Sequence, residues 1–459
     1  MTEKISEELN YSPVISNHST PVFRTVQPQN SATVTLSAAA TSGPVEFVIP
    51  PSVFNFSKSR LNFDLNVALT AVSYNFINAN LLTTISRVVC YDSATNAQLL
   101  DISSFEKYCS MISSAGTSLT DFLSKSFDTA NPSAGGTNPS PQPIEDIGKL
   151  VATANNYVID GNVVAGTTSV DLVAQGGQTQ RRQFFIGGSG AATNFRVSIP
   201  LSAFKFTVLA SDKLLYSPSQ IVLQIYFNQT NNFGFITTAA GSVLTGEGAL
   251  GTTTVTNLSL SLCNEGNLQI VSSVIDRVMK EGLSMPIAYP SITRVTNVAA
   301  TSVSTYIPLT KAYGNRILGM VSAIFFNGNY AKANARGRWD LTQYNTFLNN
   351  VPILSNSGFI TNNGRGEDYI LANKDFFKGS ALETQGDYRT AEWVHIDSFK
   401  GRVPLHEWNQ HEIDGLDVGM ATATYSQQYN FTAGVAGVYI TAIIGQKQMT
   451  ITNQGVMVQ

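Results

Sequence analysis

Charged residues make up only 13% of this 459-residue chain, about half the share usual in soluble proteins. The little charge present nearly cancels: 28 Lys and Arg face 31 Asp and Glu, for a net charge of −3. No segment concentrates the Lys and Arg with which a nucleic-acid binder releases counterions from phosphates. The densest basic pair is Arg181-Arg182, and residues 1–31 carry Lys4 and Arg24 against Glu3, Glu7 and Glu8. Direct sequence-specific nucleic-acid binding is therefore not expected. The three cysteines, Cys90, Cys109 and Cys263, are odd in number and widely spaced, which fits reduced thiols and synthesis inside a cell rather than a disulfide framework. No run approaches the ~18 apolar residues of a membrane span, and MTEKISEELN lacks the apolar core of a signal peptide. The chain is expected to be soluble.

Histidine is scarce as well, with four in the chain. Two fall in LHEWNQHEID, residues 405–414, at a spacing of five. On a helix His406 and His411 would point about 140° apart, and on a strand they would take opposite faces, so they cannot share a metal ion. His18 and His395 stand alone in the sequence. EIDGLD has too few carboxylates for a calcium loop. GGSGAA, residues 187–192, is neither a nucleophile elbow nor, lacking Lys, a phosphate-binding loop. Glu145 with Asp146 and Asp414 with Asp417 read as solvated loop acids, and Trp339, Trp393 and Trp408 as sheet-core residues. No catalytic, cofactor-binding or metal residue is assigned, no cofactor is expected, and the chain reads as a non-enzyme.

Period-two alternation is abundant. In RLNFDLNVAL, residues 60–69, Leu61, Phe63, Leu65, Val67 and Leu69 share one face while Asn62, Asp64 and Asn66 take the other, the mark of a half-buried strand. NFRVSIPL aligns Phe195, Val197, Ile199 and Leu201, and SQIVLQIYF aligns Ile221, Leu223, Ile225 and Phe227. Further strands are expected at residues 257–262, 304–309, 316–326, 424–431 and 437–444. Turn residues part them, so the class is all-β, with antiparallel sandwiches.

Three helices are expected. DISSFEKYCSMISSAG offers Ser103 as N-cap with Glu106 three later, then Phe105, Tyr108, Cys109 and Ile112 on one stripe. WDLTQYNTFLNNV repeats the plan with Asp340 as cap and Leu341, Tyr344, Phe347 and Leu348 as stripe, which hints at an internal repeat. NLQIVSSVIDRVMKEG places Val271, Val274, Ile275, Val278 and Met279 together and stops at Gly282. It lies between two strand-rich halves, with the boundary near residues 264–290. Residues 129–148 and 354–369 are dense in turn formers and read as long loops.

Several passages resemble the double jelly-roll major capsid proteins of the tectivirus and adenovirus lineage. PSVFNFSKSRLNFDLNV is similar to that family's first-roll strand. FRVSIPLSAFKFTVLASDKLLYSPSQIVLQIYF is similar to its Ile-Pro-Leu strand, aromatic turn and long alternating strand. LSLSLCNEGNLQIVSSVIDRVMKEGLSMPIAYPSI resembles the end of the first roll with its connector, and SVSTYIPLTKAYGNRILGMVSAIFF the start of the second. Chain length favours a virophage-like or polinton-like member.

The resemblance implies two consecutive eight-stranded antiparallel jelly rolls. The expected division is an arm over residues 1–30, a first roll over 31–266 with an insertion at about 125–180, a connecting helical segment over 267–284, and a second roll over 285–459. It further implies a homotrimeric pseudo-hexagonal capsomer in an icosahedral DNA-virus capsid, assembled inside the host cell. Partners would be neighbouring capsomers, minor capsid and penton proteins, and an internal membrane near the arm, with the two long loops forming an outer crown. The scarce charge suits a surface consumed by neighbours. A viral or cell-surface adhesin, and a carbohydrate-active enzyme using Glu145, Asp146 or Glu392 with Trp393, are the alternatives.

Overall fold

The computed structural model describes residues 18–37, 43–68, 74–78, 81–116, 151–153, 156–158, 183–187, 192–237, 251–297, 300–326, 341–353, 359–360, 394–399, 414–431 and 437–459. The alternating segments form the expected strands. In Val53–Ala68, Leu61, Phe63, Leu65 and Val67 are buried to 1% exposure or less, and a fully buried side chain such as Phe63 contributes about 1.5–3 kcal/mol.

Eight strands of the first half build two facing sheets. In chain order they are β1 (Pro21–Val26), β2 (Val45–Ile49), β3 (Val53–Ala68), β4 (Ile85–Asp92), β5 (Gln98–Ser103), β6 (Ala192–Pro200), β7 (Ile221–Phe227) and β8 (Thr253–Glu265). One sheet runs β1-β8-β3-β6 and the other β2-β7-β4-β5, all antiparallel. Val34–Leu36 and Leu215–Tyr216 extend the first sheet.

The second half repeats this order. Eight of its strands are β9 (Leu283–Asn297), β10 (Ser302–Leu309), β11 (Arg316–Phe326), β12 (Leu341–Leu348), β13 (Val351–Pro352), β14 (Val394–Ser398), β15 (Ala423–Phe431) and β16 (Gly437–Thr452), with Phe359–Ile360, Leu416–Asp417 and Gly455–Val458 pairing at their sides. The sheets run β9-β16-β11-β14 and β10-β15-β12-β13. Numbered within each half, both give 1-8-3-6 facing 2-7-4-5, the Greek-key path of a jelly roll. The internal repeat is therefore one of strand order.

The paired helices expected from the sequence do not carry that repeat. Within WDLTQYNTFLNNV, Trp339 and the expected cap Asp340 lie outside the described residues, and Leu341–Leu348 is a strand followed by a turn. Against β15 the register of β12 shifts between Leu341 and Gln343. Such a bulge slips the side-chain phase by one residue, so Leu341 and Tyr344, three apart, both point inward at 1% exposure. The spacing imitates a helical stripe. Asn349 and Asn350, at φ 51° and 64°, then make the two-residue turn into β13, a conformation in which asparagine is favoured.

The other two helices form. Helix α1 (Phe105–Gly116) buries Phe105, Tyr108, Cys109 and Ile112 as expected. Its start differs, because Ser103 ends β5 and the Ser104 carbonyl accepts the N–H groups of Lys107 and Tyr108. Helix α2 (Leu268–Lys280) is capped by Asn267, whose side chain accepts the Gln269 N–H. Gly282, at φ 74°, follows it. Val278 is buried, Val271, Val274 and Ile275 are half-buried, and Met279 is exposed.

The two rolls share a core. Residues of both, including Phe63, Phe227, Phe325 and Ile440, belong to one contiguous apolar cluster. β11 is buried throughout Ile317–Phe325, and β16 throughout Gly437–Gln446. Strands read as continuous apolar runs when both of their faces are covered. One face of β11 and β16 packs on their own partner sheet, and the first roll meets this sheet through α1 against β11 and β5 against β9. At this junction Lys107 Nζ lies 4.9 Å from the Phe325 ring centroid. The Thr95 hydroxyl lies 2.8 Å from the Asp92 carboxylate and 2.5 Å from the Val456 carbonyl. Gly445 on β16 has no room for a side chain, since a Cβ there would sit 1.8 Å from the Tyr313 carbonyl oxygen.

Candidate functional site

The residues weighed for chemistry do not converge. His406, His411, Glu145, Asp146, Glu392 and the three tryptophans lie outside the described residues, as do 129–148, Arg181-Arg182 and residues 188–191 of GGSGAA. His18 is exposed beside α2, where its carbonyl accepts from Asn267. Asp414 and Asp417 serve local turns, accepting the backbone N–H groups of Gly415 and Gly419. Among the described residues no group of three His, Cys, Asp or Glu could hold a metal ion. The cysteines are free and buried, and burial pushes each thiol above its ordinary range, the opposite of what a reactive thiolate needs.

His395 does not stand alone. β14 places His395 and Asp397 two apart, hence on one face, with His395 directly opposite Ser322 of β11. His395 Nε2 lies 3.0 Å from Asp397 Oδ1, and the Tyr425 hydroxyl donates to Asp397 Oδ2 at 2.6 Å. Gln427 donates to Ser322 Oγ at 2.6 Å and accepts from Thr305 at 3.1 Å and from Thr441 at 3.3 Å. A polar layer thus crosses the second roll from both sheets, beside the apolar cluster of Ile307, Met320 and Ile443. Burial pushes the Asp397 carboxyl up, but the charge and hydrogen bond of His395 with the Tyr425 hydroxyl outweigh it, and its pKa falls below the ordinary value.

Serine, histidine and aspartate do meet here, yet not as a hydrolase triad. Ser322, His395, Asp397, Tyr425, Gln427 and Thr441 are each at most 4% exposed, and the Ser322 hydroxyl is engaged by Gln427 and Thr441. A substrate atom has no approach to it. The arrangement satisfies buried polar groups.

The broad surfaces are two outer sheet faces. On the first roll, a hydrogen-bonded ladder runs over β6, β3 and β8. Arg60 donates to Ser198 at 2.7 Å, Ser198 to Asn62 at 2.7 Å, and Asn62 to Ser261 at 2.8 Å. Asp64 accepts from Arg196 at 3.3 Å and from Asn257 at 2.7 Å. The outer face of β10-β15-β12 differs. Directly opposed residues there are Ser302, Asn430 and Gln343, then Ser304, Gln428 and Asn345, then Tyr306, Ser426 and Phe347, with Pro308 opposite Thr424. None of them is charged. Tyr306 is 65% exposed.

No family model matches the sequence, and no curated protein matches it. Solved structures do match. The Faustovirus major capsid protein superposes with a TM-score of 0.55 at 11% identity, over 97% of this chain and 94% of that one. The PBCV-1 virus capsid gives 0.54 at 9% identity over 98% of both chains. The mavirus major capsid protein gives 0.50 at 11% identity over 100% of this chain and 95% of that one. The fold is the double jelly roll of these viral capsid proteins. At such identities the double jelly-roll likeness is one of architecture, and it does not single out the virophage-like subgroup that length favoured.

Proposed function

We propose that this chain is a major capsid protein whose homotrimer forms a pseudo-hexagonal capsomer of an icosahedral DNA-virus shell. One observation carries the reading: the same eight-strand order occurs twice in one chain. Three copies thereby supply six similar lobes, and a closed ring of such subunits tiles a shell. The chain divides into an arm ahead of β1, a first roll, the α2 connector and a second roll, resides in the virion after assembly in the host cell, and contacts neighbouring capsomers, minor capsid and penton proteins. The arm faces an internal membrane. Imaging the purified chain by negative stain tests this: single six-lobed rings agree with it, and isolated or elongated particles overturn it.

A further inference from the structure

We infer that helix α1 is a pH-operated wedge between the two rolls, gripping while the Glu106 carboxyl is neutral and loosening once it is charged. The inference concerns the single chain and does not depend on the capsomer reading.

Helix α1 is enclosed on every side. From Phe105 to Ile112 no residue is more than 8% exposed, although the segment holds an acid and a base in adjacent positions, Glu106 and Lys107. A helix sealed all round is ordinarily apolar all round, so the pair is unusual. The helix lies against Leu81–Thr84 and β4 of the first roll and against β11 of the second. Lys107 reaches the second roll, its ammonium lying over the Phe325 ring. Glu106 Oε2, by contrast, has no hydrogen-bond partner among the described residues. Burying a carboxylate without donors is strongly unfavourable, and burying the protonated carboxyl much less so.

Little around Glu106 offsets that penalty. Lys107 and the backbone N–H of Glu106 itself favour the charged form, but burial outweighs both and the carboxyl is pushed up to about 7. Cys109, on the same helix, is the other titratable group that interacts with it. Leu81–Thr84 carries no titratable side chain. On β4, Arg87 is bound to Asp101, Tyr91 lies by Glu46 and Tyr226, and Asp92 holds the Thr95 turn, which leaves the buried Cys90 thiol. The turn after β6 brings up Lys205, whose carbonyl accepts the Tyr108 hydroxyl. Arg316, the titratable residue of β11, sits at the far end of that strand from Phe325, beside Asp417. Lys107 is therefore the cation at hand when Glu106 ionises. Neighbours in sequence point about 100° apart around a helix and do not face each other. Lys107 can meet the new anion only by unwinding the first turn of α1 and leaving the Phe325 ring, which admits water to Glu106 and frees α1 from β11. The neutral acid favours the closed junction and the anion the open one. With the carboxyl raised in the closed state and ordinary in the open one, the grip is complete below pH 4.5, weakens as pH rises, and is least above about 7.

The native cysteines supply the test. Cys109, on α1 and 4% exposed, reports the opening, and Cys90, on β4 and 0% exposed, is the control. Both are labelled with a dipyridyl disulfide, which reacts with thiols in acid as well as at neutral pH, and followed by mass spectrometry. Each rate is divided by that of a free thiol at the same pH. Between pH 5.5 and pH 8 the corrected Cys109 rate should rise about thirtyfold and exceed that of Cys90 throughout. In Glu106→Gln, which keeps the neutral form, it should stay flat. A flat wild-type rate overturns the wedge whether or not the variant folds, and an undiminished rise in Glu106→Gln overturns the assignment to Glu106. Equal rates at Cys90 and Cys109 would mean that α1 is exposed only when the whole chain unfolds, and would overturn the wedge as well.

Discussion

Glu106→Gln should stabilise this protein at alkaline pH and not at acid pH. Glu106 sits in the first turn of α1, 8% exposed, and its Oε2 has no hydrogen-bond partner among the described residues. Burial pushes its carboxyl up from 4.5 to about 7, against the opposing pull of Lys107 and a backbone hydrogen bond. The folded protein therefore holds a proton that the unfolded chain releases near 4.5. Wherever the folded state binds more protons, stability falls as pH rises. A shift of this size corresponds to roughly 3 kcal/mol lost between pH 4.5 and pH 8. Glutamine resembles the protonated carboxyl at every pH, so the variant escapes the loss. Any cost of the new amide is independent of pH, and the informative quantity is the change in the wild-type to variant difference. Urea unfolding between pH 4.5 and pH 8.5 measures it. A difference that stays flat, or that grows toward acid, would refute the placement of a neutral carboxyl at the junction of the rolls.

Asp397→Asn should remove the charge and one of the two oxygens that face His395 and Tyr425 inside the second roll and cost about 3–5 kcal/mol, read from the same unfolding curves. Because the Asp397 pKa is lowered, the stability it contributes is present at neutral pH and lost only as pH falls below the ordinary carboxylate range. Glu265→Gln should loosen β1. Burial raises the Glu265 pKa, but the Ser19 hydroxyl and the N–H groups of Asn267 and Thr20 outweigh it, holding the carboxylate across the chain from the start of β1. Hydrogen exchange should show faster exchange in Val22–Val26 with no change in Val53–Ala68, and equal protection in both variants would count against the staple.

How far the sequence discloses this molecule depends on whether each signal is local. Alternation in Val53–Ala68 and Ser302–Leu309 is legible because one face of each is buried and the other wet. β12 misleads, since its bulge at Leu341 turns a strand's phase into a helix-like spacing. The Asn349-Asn350 pair between Leu348 and Val351 was the signal that could have corrected it. In Val-His-Ile-Asp the two-residue spacing of His395 and Asp397 placed them on one face, but Ser322, Tyr425 and Gln427 join them only through sheet pairing. The scarce charge of the sequence carried no location, because a whole-chain composition cannot say that β10, β15 and β12 gather uncharged residues on one side.

The measurement that bears most directly on the account is the mass of the purified chain in solution by multi-angle light scattering. The account predicts a stable species of three times the 49.4 kDa chain mass. A monomer or a dimer at every concentration tested would contradict it.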